Sequence, residues 1–207
     1  MGRSSDMSQE YYDNNAQRFI SDTIDVDMNT HYQRFLAHLN DGASILDAGC
    51  GSGRDSLAFK NMGYQVQAFD ASSAMVEATR SLADVPVQKM TFQSAIFDTS
   101  FDGIWACASL LHVPRTELST VLENLVSHLN VGGIIYASFK YGLDERQKGD
   151  RYFNDQTETS LVKIIDAISN LEIVEQWTSG DGRTGRSDEK WLNCLLRKIS
   201  NEKFEKF

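Results

Sequence analysis

The amino-acid sequence predicts an α/β fold in which a mostly parallel, seven-stranded sheet is flanked by helices and finishes in an antiparallel hairpin. Two observations lead to this prediction. Short apolar segments alternate with amphipathic ones through most of the 207 residues, a pattern typical of a parallel sheet covered on both faces. Near the C-terminus, two strand-like segments flank a polar loop that contains glycine, and this favours a hairpin at the end of the sheet.

A helical segment, residues 1–42, precedes the alternation of strands and helices. Phe19, Tyr32 and Phe35 are among the apolar residues that recur here at helical spacing. Asp41 and Gly42 form the turn that ends the segment. We expect this segment and the remaining residues, 43–207, to form one compact unit.

The elements after this turn follow one another in a regular order. Strands are predicted over residues 44–48, 64–69, 85–92, 101–106, 134–139, 171–177 and 191–199. Helices are predicted over residues 54–62, 72–82, 115–130 and 157–169. Gly63 stops the first of these helices, Ser72 is the expected N-cap of the second, and Gly132 with Gly133 follows the third.

Composition and charge narrow the possible functions. The formal net charge is −9, and an acidic protein repels a phosphate backbone, so nucleic acid is an unlikely partner. No window approaches the ~18 apolar residues of a membrane span, and the N-terminal residues contain no apolar run typical of a secretory signal. Three widely spaced cysteines predict free thiols, and the histidine spacing predicts no metal site. The sequence therefore predicts a cytoplasmic protein without a membrane partner, and it leaves the oligomeric state open.

The strongest functional motif is the glycine-rich sequence ILDAGCGSGRD, residues 45–55, which follows a predicted strand and opens a helix. In open parallel sheets, ligands bind at the carboxyl ends of the strands, and glycines there let a ligand approach the backbone closely. Asp70 stands at the end of the next strand, where a carboxylate accepts hydrogen bonds from the two hydroxyls of a ribose. The loop and Asp70 together predict a cofactor that contains a nucleoside.

The residues around the loop bear on which nucleoside cofactor binds. The dinucleotide fingerprint requires a third glycine at position 54, where this chain has Arg54. Asp47 and Asp55 lie on either side of the loop, and two carboxylates repel a pyrophosphate but tolerate a cation such as a sulfonium. An NAD-linked oxidoreductase is kept as an alternative because it shares the strand–glycine–helix unit.

Taken together, LDAGCGSG at residues 46–53, FDAS at residues 69–72 and the C-terminal hairpin resemble the class I S-adenosylmethionine-dependent methyltransferases. The sequences IWACASLLHVP, residues 104–114, and ASFKYG, residues 137–142, resemble the small bacterial methyltransferases grouped with the tellurite-resistance enzymes. The resemblance implies a Rossmann-like fold and transfer of a methyl group from S-adenosylmethionine, which leaves S-adenosylhomocysteine. It also implies that the N-terminal segment covers the cofactor like a lid.

The resemblance assigns cofactor-binding residues position by position. It places Asp47, Gly49 and Gly51 around the methionine part of the cofactor, and Asp70 against the ribose. The other expected cofactor contacts are Ala71, Met75, Thr91 and Phe92 at the adenine, with Ala106 and Cys107 at the methionine end. Many relatives carry an aspartate near the adenine amine, and this chain has Thr91 and Phe92 in that region instead.

His112 is the candidate catalytic residue. It follows a strand end beside the expected methyl donor, where a general base would take a proton from an acceptor hydroxyl or amine. The alternative is a histidine that orders its loop through a hydrogen bond to the backbone. Expected substrate-binding residues are Tyr11, Tyr12, Lys140, Tyr141, Arg151 and Tyr152. Methylation of a small-molecule acceptor is the favoured function. A tRNA base methyltransferase and a non-catalytic cofactor-binding module stay open as alternatives.

Overall fold

The computed structural model describes residues 4–183, 185–186 and 188–200, and the side chains of residues 4–7 are outside this description. The predicted segments 1–42 and 43–207 therefore extend in part beyond the described residues. The strands are β1 Ser44–Ala48, β2 Gln65–Asp70, β3 Val87–Lys89, β4 Phe101–Ala106, β5 Leu129–Lys140, β6 Glu145–Lys148, β7 Arg151–Asn154, β8 Leu171–Gly180 and β9 Lys190–Lys198. The helices are α1 Ser4–Asn14, α2 Ala16–Thr23, α3 Asn29–Leu36, α4 Arg54–Asn61, α5 Ser73–Ala83, α6 Arg115–Ser127 and α7 Glu158–Ile165.

The main sheet contains seven strands in the order β3-β2-β1-β4-β5-β9-β8. The strands from β3 to β5 are parallel to their neighbours, and β9 pairs antiparallel with both β5 and β8. The predicted mostly parallel sheet with a C-terminal hairpin is therefore confirmed. The chain moves outward from β1 to β3 and then returns to β4 on the other side of β1, so a cleft opens between the carboxyl ends of β1 and β4.

Adjacent residues of the central strands point to opposite faces of the sheet and build two separate cores. In β4, Ile104 packs in the core covered by α6 and α7, while Trp105 packs in the core that includes α3 and α4. The Trp105 ring stacks on Tyr136 of β5 with a centroid separation of 3.9 Å. Phe35 of α3 is fully buried against this stack, so the N-terminal helices contribute to the second core.

Several element boundaries differ from those predicted. The strands 44–48 and 101–106 are confirmed without change, but the predicted strand 85–92 is too long because only Val87–Lys89 pairs with β2. The predicted helix 115–130 ends at Ser127, because Leu129 pairs with Phe101 and starts β5. No described helix is long and apolar enough to cross a membrane.

The small hairpin formed by β6 and β7 was not predicted. It lies outside the main sheet, and its polar sequence gives no alternating pattern of apolar residues. Arg146 holds the hairpin to the following loop through two hydrogen bonds to Asp155, at 2.7 and 3.2 Å. The hairpin places Arg151 and Phe153 beside the cleft, where they become part of the site described next.

Candidate active site

A cavity of about 340 Å³ lies at the carboxyl ends of the parallel strands, within the range of small-molecule sites. The glycine loop after β1 and Asp70 at the end of β2 form one side. Tyr12 of α1, His112 and Arg183 of the β8–β9 loop line it as well. The cavity thus brings together residues from both ends of the chain and from the centre of the sheet.

Positive backbone φ angles shape the glycine loop. Gly49 has a φ of +79° and Gly51 a φ of +53°, which side chains other than glycine rarely adopt. The backbone N–H groups of Gly49 and Cys50 donate to the Phe69 carbonyl at 2.9 and 3.0 Å, which ties the loop to β2. A Cβ atom on Gly49 would lie only 2.5 Å from the Cβ of Ser109. The bare backbone is therefore required for the loop to keep its shape.

The Asp70 carboxylate lies beside this loop and lines the cavity. One of its oxygens accepts the Gly51 N–H at 3.0 Å and the other accepts the Ser72 N–H at 2.9 Å. Burial raises the pKa of Asp70, and these backbone hydrogen bonds oppose that rise. A carboxylate has about four acceptor positions, so two remain for the hydroxyls of a ribose.

The four expected adenine-binding residues all line the cavity: Ala71, Met75, Thr91 and Phe92. The Phe92 ring meets Phe69 edge-on at 5.2 Å, which fixes its position as one wall. Together with Asp70 and the bare glycine loop, these four residues fit an adenosine group. The glycine loop presents a backbone without side chains, which the rest of the cofactor can approach closely.

Asp47 was expected to contact the cofactor, but it lies beneath the loop and does not line the cavity. It is 2% exposed, and its carboxylate accepts a hydrogen bond from the Ser56 hydroxyl at 2.6 Å. Burial and the nearby Asp55 raise the pKa of Asp47. Its position indicates a residue that supports the loop from below.

Asp55 is the centre of a buried polar cluster that joins the N-terminal helices to the sheet. Its carboxylate accepts two hydrogen bonds from Arg54, at 2.6 and 2.9 Å, one from Trp105 Nε1 at 2.8 Å and one from Tyr32 at 2.5 Å. Burial alone would raise the pKa of Asp55, but Arg54 and the other donors lower it below its ordinary value. Arg54 also donates to the Thr23 carbonyl at 3.0 Å, so its charge is directed at Asp55 and the N-terminal segment.

His112 lies at the cavity wall with both ring nitrogens hydrogen-bonded. Nδ1 is 2.7 Å from the Tyr152 carbonyl oxygen, which only accepts, so Nδ1 carries the proton. Nε2 is 2.8 Å from the Tyr12 hydroxyl and therefore accepts its hydrogen bond. Burial lowers the pKa of His112 to about 4 and raises that of Tyr12 to about 12. His112 and Tyr12 are thus both neutral near pH 7. The hydrogen bond from Nδ1 to the Tyr152 carbonyl orders the loop, and the hydrogen bond from Tyr12 to Nε2 is suited to proton transfer.

The depressed pKa of His112 predicts a pH-dependent stability. Because the folded-state pKa, about 4, lies below the ordinary 6.5, the neutral ring stabilises the fold above pH 6.5, and this contribution is lost as the pH falls toward 4. We expect the melting temperature of wild type to drop more between pH 7 and pH 5 than that of His112→Gln. Parallel thermal melts at the two pH values measure the difference, and equal drops would contradict the assignment.

Other predicted site residues divide into those that reach the cavity and those that do not. Gly49, Gly51, Cys107, Tyr12, Lys140 and Arg151 line it. Besides Asp47, four predicted residues do not line the cavity. Ala106 is buried in the sheet, and Tyr11 packs beneath Arg151. The hydroxyls of Tyr141 and Tyr152 donate to Glu158 and Glu145 respectively. Lys140 reaches the cavity with its charge paired to Asp181 at 2.9 Å and to Glu189.

Sequence reasoning missed His31, which lines the cavity from the first turn of α3. Its Nδ1 is buried without a hydrogen-bond partner, and its ring stacks on Trp177 with centroids 5.9 Å apart. Burial lowers the pKa of His31, so it is another neutral imidazole at the site. The available sequence signal was its spacing: His31 lies four residues before Phe35, so both lie on the same face of the helix, and Phe35 is buried.

Comparisons with known proteins agree with this geometry. A family model described as a methyltransferase domain matches residues 45–133, which contain the glycine loop, Asp70 and His112. Over 185 residues, the chain is 34% identical to a ubiquinone biosynthesis O-methyltransferase from Xanthomonas campestris, covering 75% of this chain and 77% of that protein. It is 33% identical over 101 residues to the cypemycin N-terminal methyltransferase of a Streptomyces species, covering 46% of this chain and 41% of that protein.

Among solved structures, the fold is similar to a Burkholderia thailandensis 1,6-didemethyltoxoflavin-N1-methyltransferase with bound 1,6-didemethyltoxoflavin and S-adenosylhomocysteine. The TM-score is 0.78 with 19% sequence identity, covering 97% of this chain and 92% of that one. At that identity the likeness shows the fold alone. The matches to several curated relatives span only 33% to 41% of the length of those proteins.

Proposed function

This chain belongs to the class I S-adenosylmethionine-dependent methyltransferase family, and from that membership we propose that it methylates a small-molecule acceptor. The observation that carries the proposal is one cavity lined by both the bare glycine loop and the Asp70 carboxylate. The similarity to a relative named for ubiquinone biosynthesis supports a small acceptor.

Specific residues would hold the cofactor in this proposal. Asp70 would receive the ribose hydroxyls, Thr91 and Phe92 would flank the adenine, and the backbone at Gly49 and Gly51 would meet the methionine part. When bound, S-adenosylmethionine supplies a methyl group that is already activated by its sulfonium charge. The protein then contributes mainly by holding the acceptor in line with that group, and such positioning is worth ~7–11 kcal/mol.

We further propose that the N-terminal segment covers this site through its described residues, 4–42. Tyr12 and Phe19 line the cavity, and a Cβ atom on Gly51 would lie 3.2 Å from the Phe19 ring. Asp13 accepts hydrogen bonds from the Ser72 hydroxyl at 2.5 Å and from the Ala74 N–H at 3.1 Å, which fastens α1 over the start of α5. The cover excludes water from the reacting groups and strengthens the electrostatic interactions inside.

His112 is the proposed general base, acting through Tyr12. The Tyr12 hydroxyl donates to Nε2, so a proton released by an acceptor hydroxyl or amine can pass to Tyr12 as Tyr12 gives its own proton to His112. The Tyr152 carbonyl stabilises the proton already on Nδ1. This arrangement accounts for two polar groups that are both partly buried at the cavity wall.

We expect His112→Gln and Tyr12→Phe each to lower kcat by about 10²-fold for an acceptor that loses a proton. This is the low end of the general-base effect, because a pKa of about 4 makes His112 a weak base at neutral pH. Steady-state turnover across the pH range measures this, and binding of S-adenosylhomocysteine is the control that should stay unchanged. Turnover equal to wild type at every pH would leave His112 with only the ordering role.

The proposed activity is tested by two measurements on the wild-type protein. S-adenosylmethionine and S-adenosylhomocysteine at about 100 times Kd should each stabilise the fold by about 2.7 kcal/mol, whereas NADH should produce no shift. Labelled methyl groups should then pass to the small-molecule fraction of a cell extract and not to its tRNA. Cofactor binding without any methyl transfer would favour the non-catalytic binding module, and salt-sensitive labelling of tRNA would favour the nucleic-acid alternative.

A further inference from the structure

The cavity differs in charge from the protein as a whole. Its described lining contains seven basic and five acidic side chains, although the chain carries a formal net charge of −9. Positive charge is therefore concentrated where a ligand binds. S-adenosylmethionine carries a sulfonium and an ammonium against one carboxylate, so its net charge is positive and does not account for this excess. We therefore look for the matching negative charge in the methyl acceptor.

Most of the basic side chains are already paired with carboxylates. Arg54, Lys140 and Arg146 form ion pairs with Asp55, Asp181 and Asp155 respectively. The two arginines of the β8–β9 loop, Arg183 and Arg186, are paired with Asp181 and Glu189. Lys148 and Arg151 are the two cations of the lining that form no ion pair with a carboxylate of the described residues.

These two cations face each other across the β6–β7 hairpin, because Lys148 pairs with Arg151 in its register. Like charges directly opposite each other in an antiparallel pair destabilise it. An anion bound between or beside them removes that repulsion. The arrangement is thus more stable with a negatively charged ligand than without one.

The Arg151 guanidinium is held in place for such a ligand. Its Cζ lies 4.4 Å from the Tyr11 ring centroid and 5.2 Å from that of Phe153, so two aromatic rings fix the planar group. Its Nε is buried and has no hydrogen-bond partner. The fork of donors on a guanidinium matches the two oxygens of a carboxylate.

Arg151 also lies close to the proposed acid–base pair. Its charge opposes the burial that raises the pKa of Tyr12, and it adds to the burial that lowers the pKa of His112. A carboxylate bound by Arg151 therefore lies next to the Tyr12 hydroxyl. An acceptor anchored in this way presents its hydroxyl or amine to Tyr12.

We propose that the methyl acceptor is a small organic acid whose carboxylate is bound by Arg151, with Lys148 beside it. The carboxylate is the anchor, and the methylated atom is a hydroxyl or amine elsewhere on the molecule. This inference rests on the proposed function and adds the chemical class of the acceptor to it.

Calorimetry on protein saturated with S-adenosylhomocysteine tests the inference with matched acid and amide pairs. The probes are salicylate with salicylamide, nicotinate with nicotinamide, and glycolate with glycolamide. We expect at least one acid to bind about tenfold or more tightly than its amide. Arg151→Gln should abolish that preference and Arg151→Lys should reduce it, with melting temperatures showing that both variants fold.

Arg186→Gln is the matched control, because Arg186 lines the same cavity from the β8–β9 loop but is paired with Glu189 at 3.8 Å. It should keep the preference for the acid. A panel in which no acid binds more tightly than its amide would overturn the inference, as would a preference that survives in Arg151→Gln. Failure of wild type to bind S-adenosylhomocysteine would instead overturn the proposed function, and this inference with it.

Discussion

Replacing Asp70 with alanine is expected to weaken S-adenosylhomocysteine binding by about 10²- to 10⁴-fold while the protein stays folded. Hydrogen bonds to a charged group are each worth about 1.5–3 kcal/mol, and the carboxylate is the group expected to receive both ribose hydroxyls. Asp70 also holds the Gly51 N–H at 3.0 Å, so its loss loosens the loop that faces the cofactor. Titration calorimetry of wild type and variant gives the two dissociation constants.

The pH dependence of the same titration separates a binding role from a structural one. Burial raises the pKa of Asp70, so wild type should lose affinity on acidification before an ordinary aspartate protonates. Asp70→Ala should lack that part of the pH dependence. Asp98→Asn, an exposed aspartate away from the cavity, is the control and should bind like wild type. Equal affinity in Asp70→Ala and wild type would remove Asp70 from the site.

Asp55→Ala is expected to cost about 3–5 kcal/mol in the free energy of unfolding. Removing one partner of a buried ion pair leaves an uncompensated charge, here on Arg54. The hydroxyl of Tyr32 and the indole N–H of Trp105 lose their acceptor as well. Denaturant unfolding of wild type and variant measures the loss.

Two further variants show whether the buried pair is the cause. Glu77→Ala breaks a surface ion pair with Arg80 at 2.9 Å, in which both side chains are more than half exposed, and should cost only about 0–1 kcal/mol. Arg54→Leu as a background should make the additional cost of Asp55→Ala smaller, because no unpaired charge is left. If Asp55→Ala lowers the free energy of unfolding no more than Glu77→Ala does, the buried cluster adds little to stability.

The part of the site that was predictable depends on residues close together in sequence. The loop with Gly49 and Gly51 follows β1 directly, and Asp70 ends the next strand, so neighbouring parallel strands bring them together. The first and last residues of β1 and β4 were also predictable from local sequence, because each strand is a short apolar run bounded by turn residues. Because parallel strands run in the same direction, their carboxyl ends lie at the same edge of the sheet and meet in one cleft.

The part that was not predictable depends on contacts between distant residues. Tyr12 meets His112 across 100 positions, and nothing in the local sequence of either one indicates the other. Asp47 carries a carboxylate that could bind a ligand, but it accepts a hydrogen bond from Ser56 of α4 and lies beneath the loop. Arg151 was an expected substrate-binding residue, but the β6–β7 hairpin that carries it to the cavity was not predicted, because its short strands show no periodicity.

The most direct measurement of the central claim is a crystal structure of the wild-type protein grown with S-adenosylhomocysteine. We predict that both ribose hydroxyls lie within hydrogen-bond distance of the Asp70 carboxylate and that the homocysteine portion runs along the backbone of Gly49 and Gly51. The adenine should lie beside Phe92. Density for the ligand at any other place on the molecule would contradict the account.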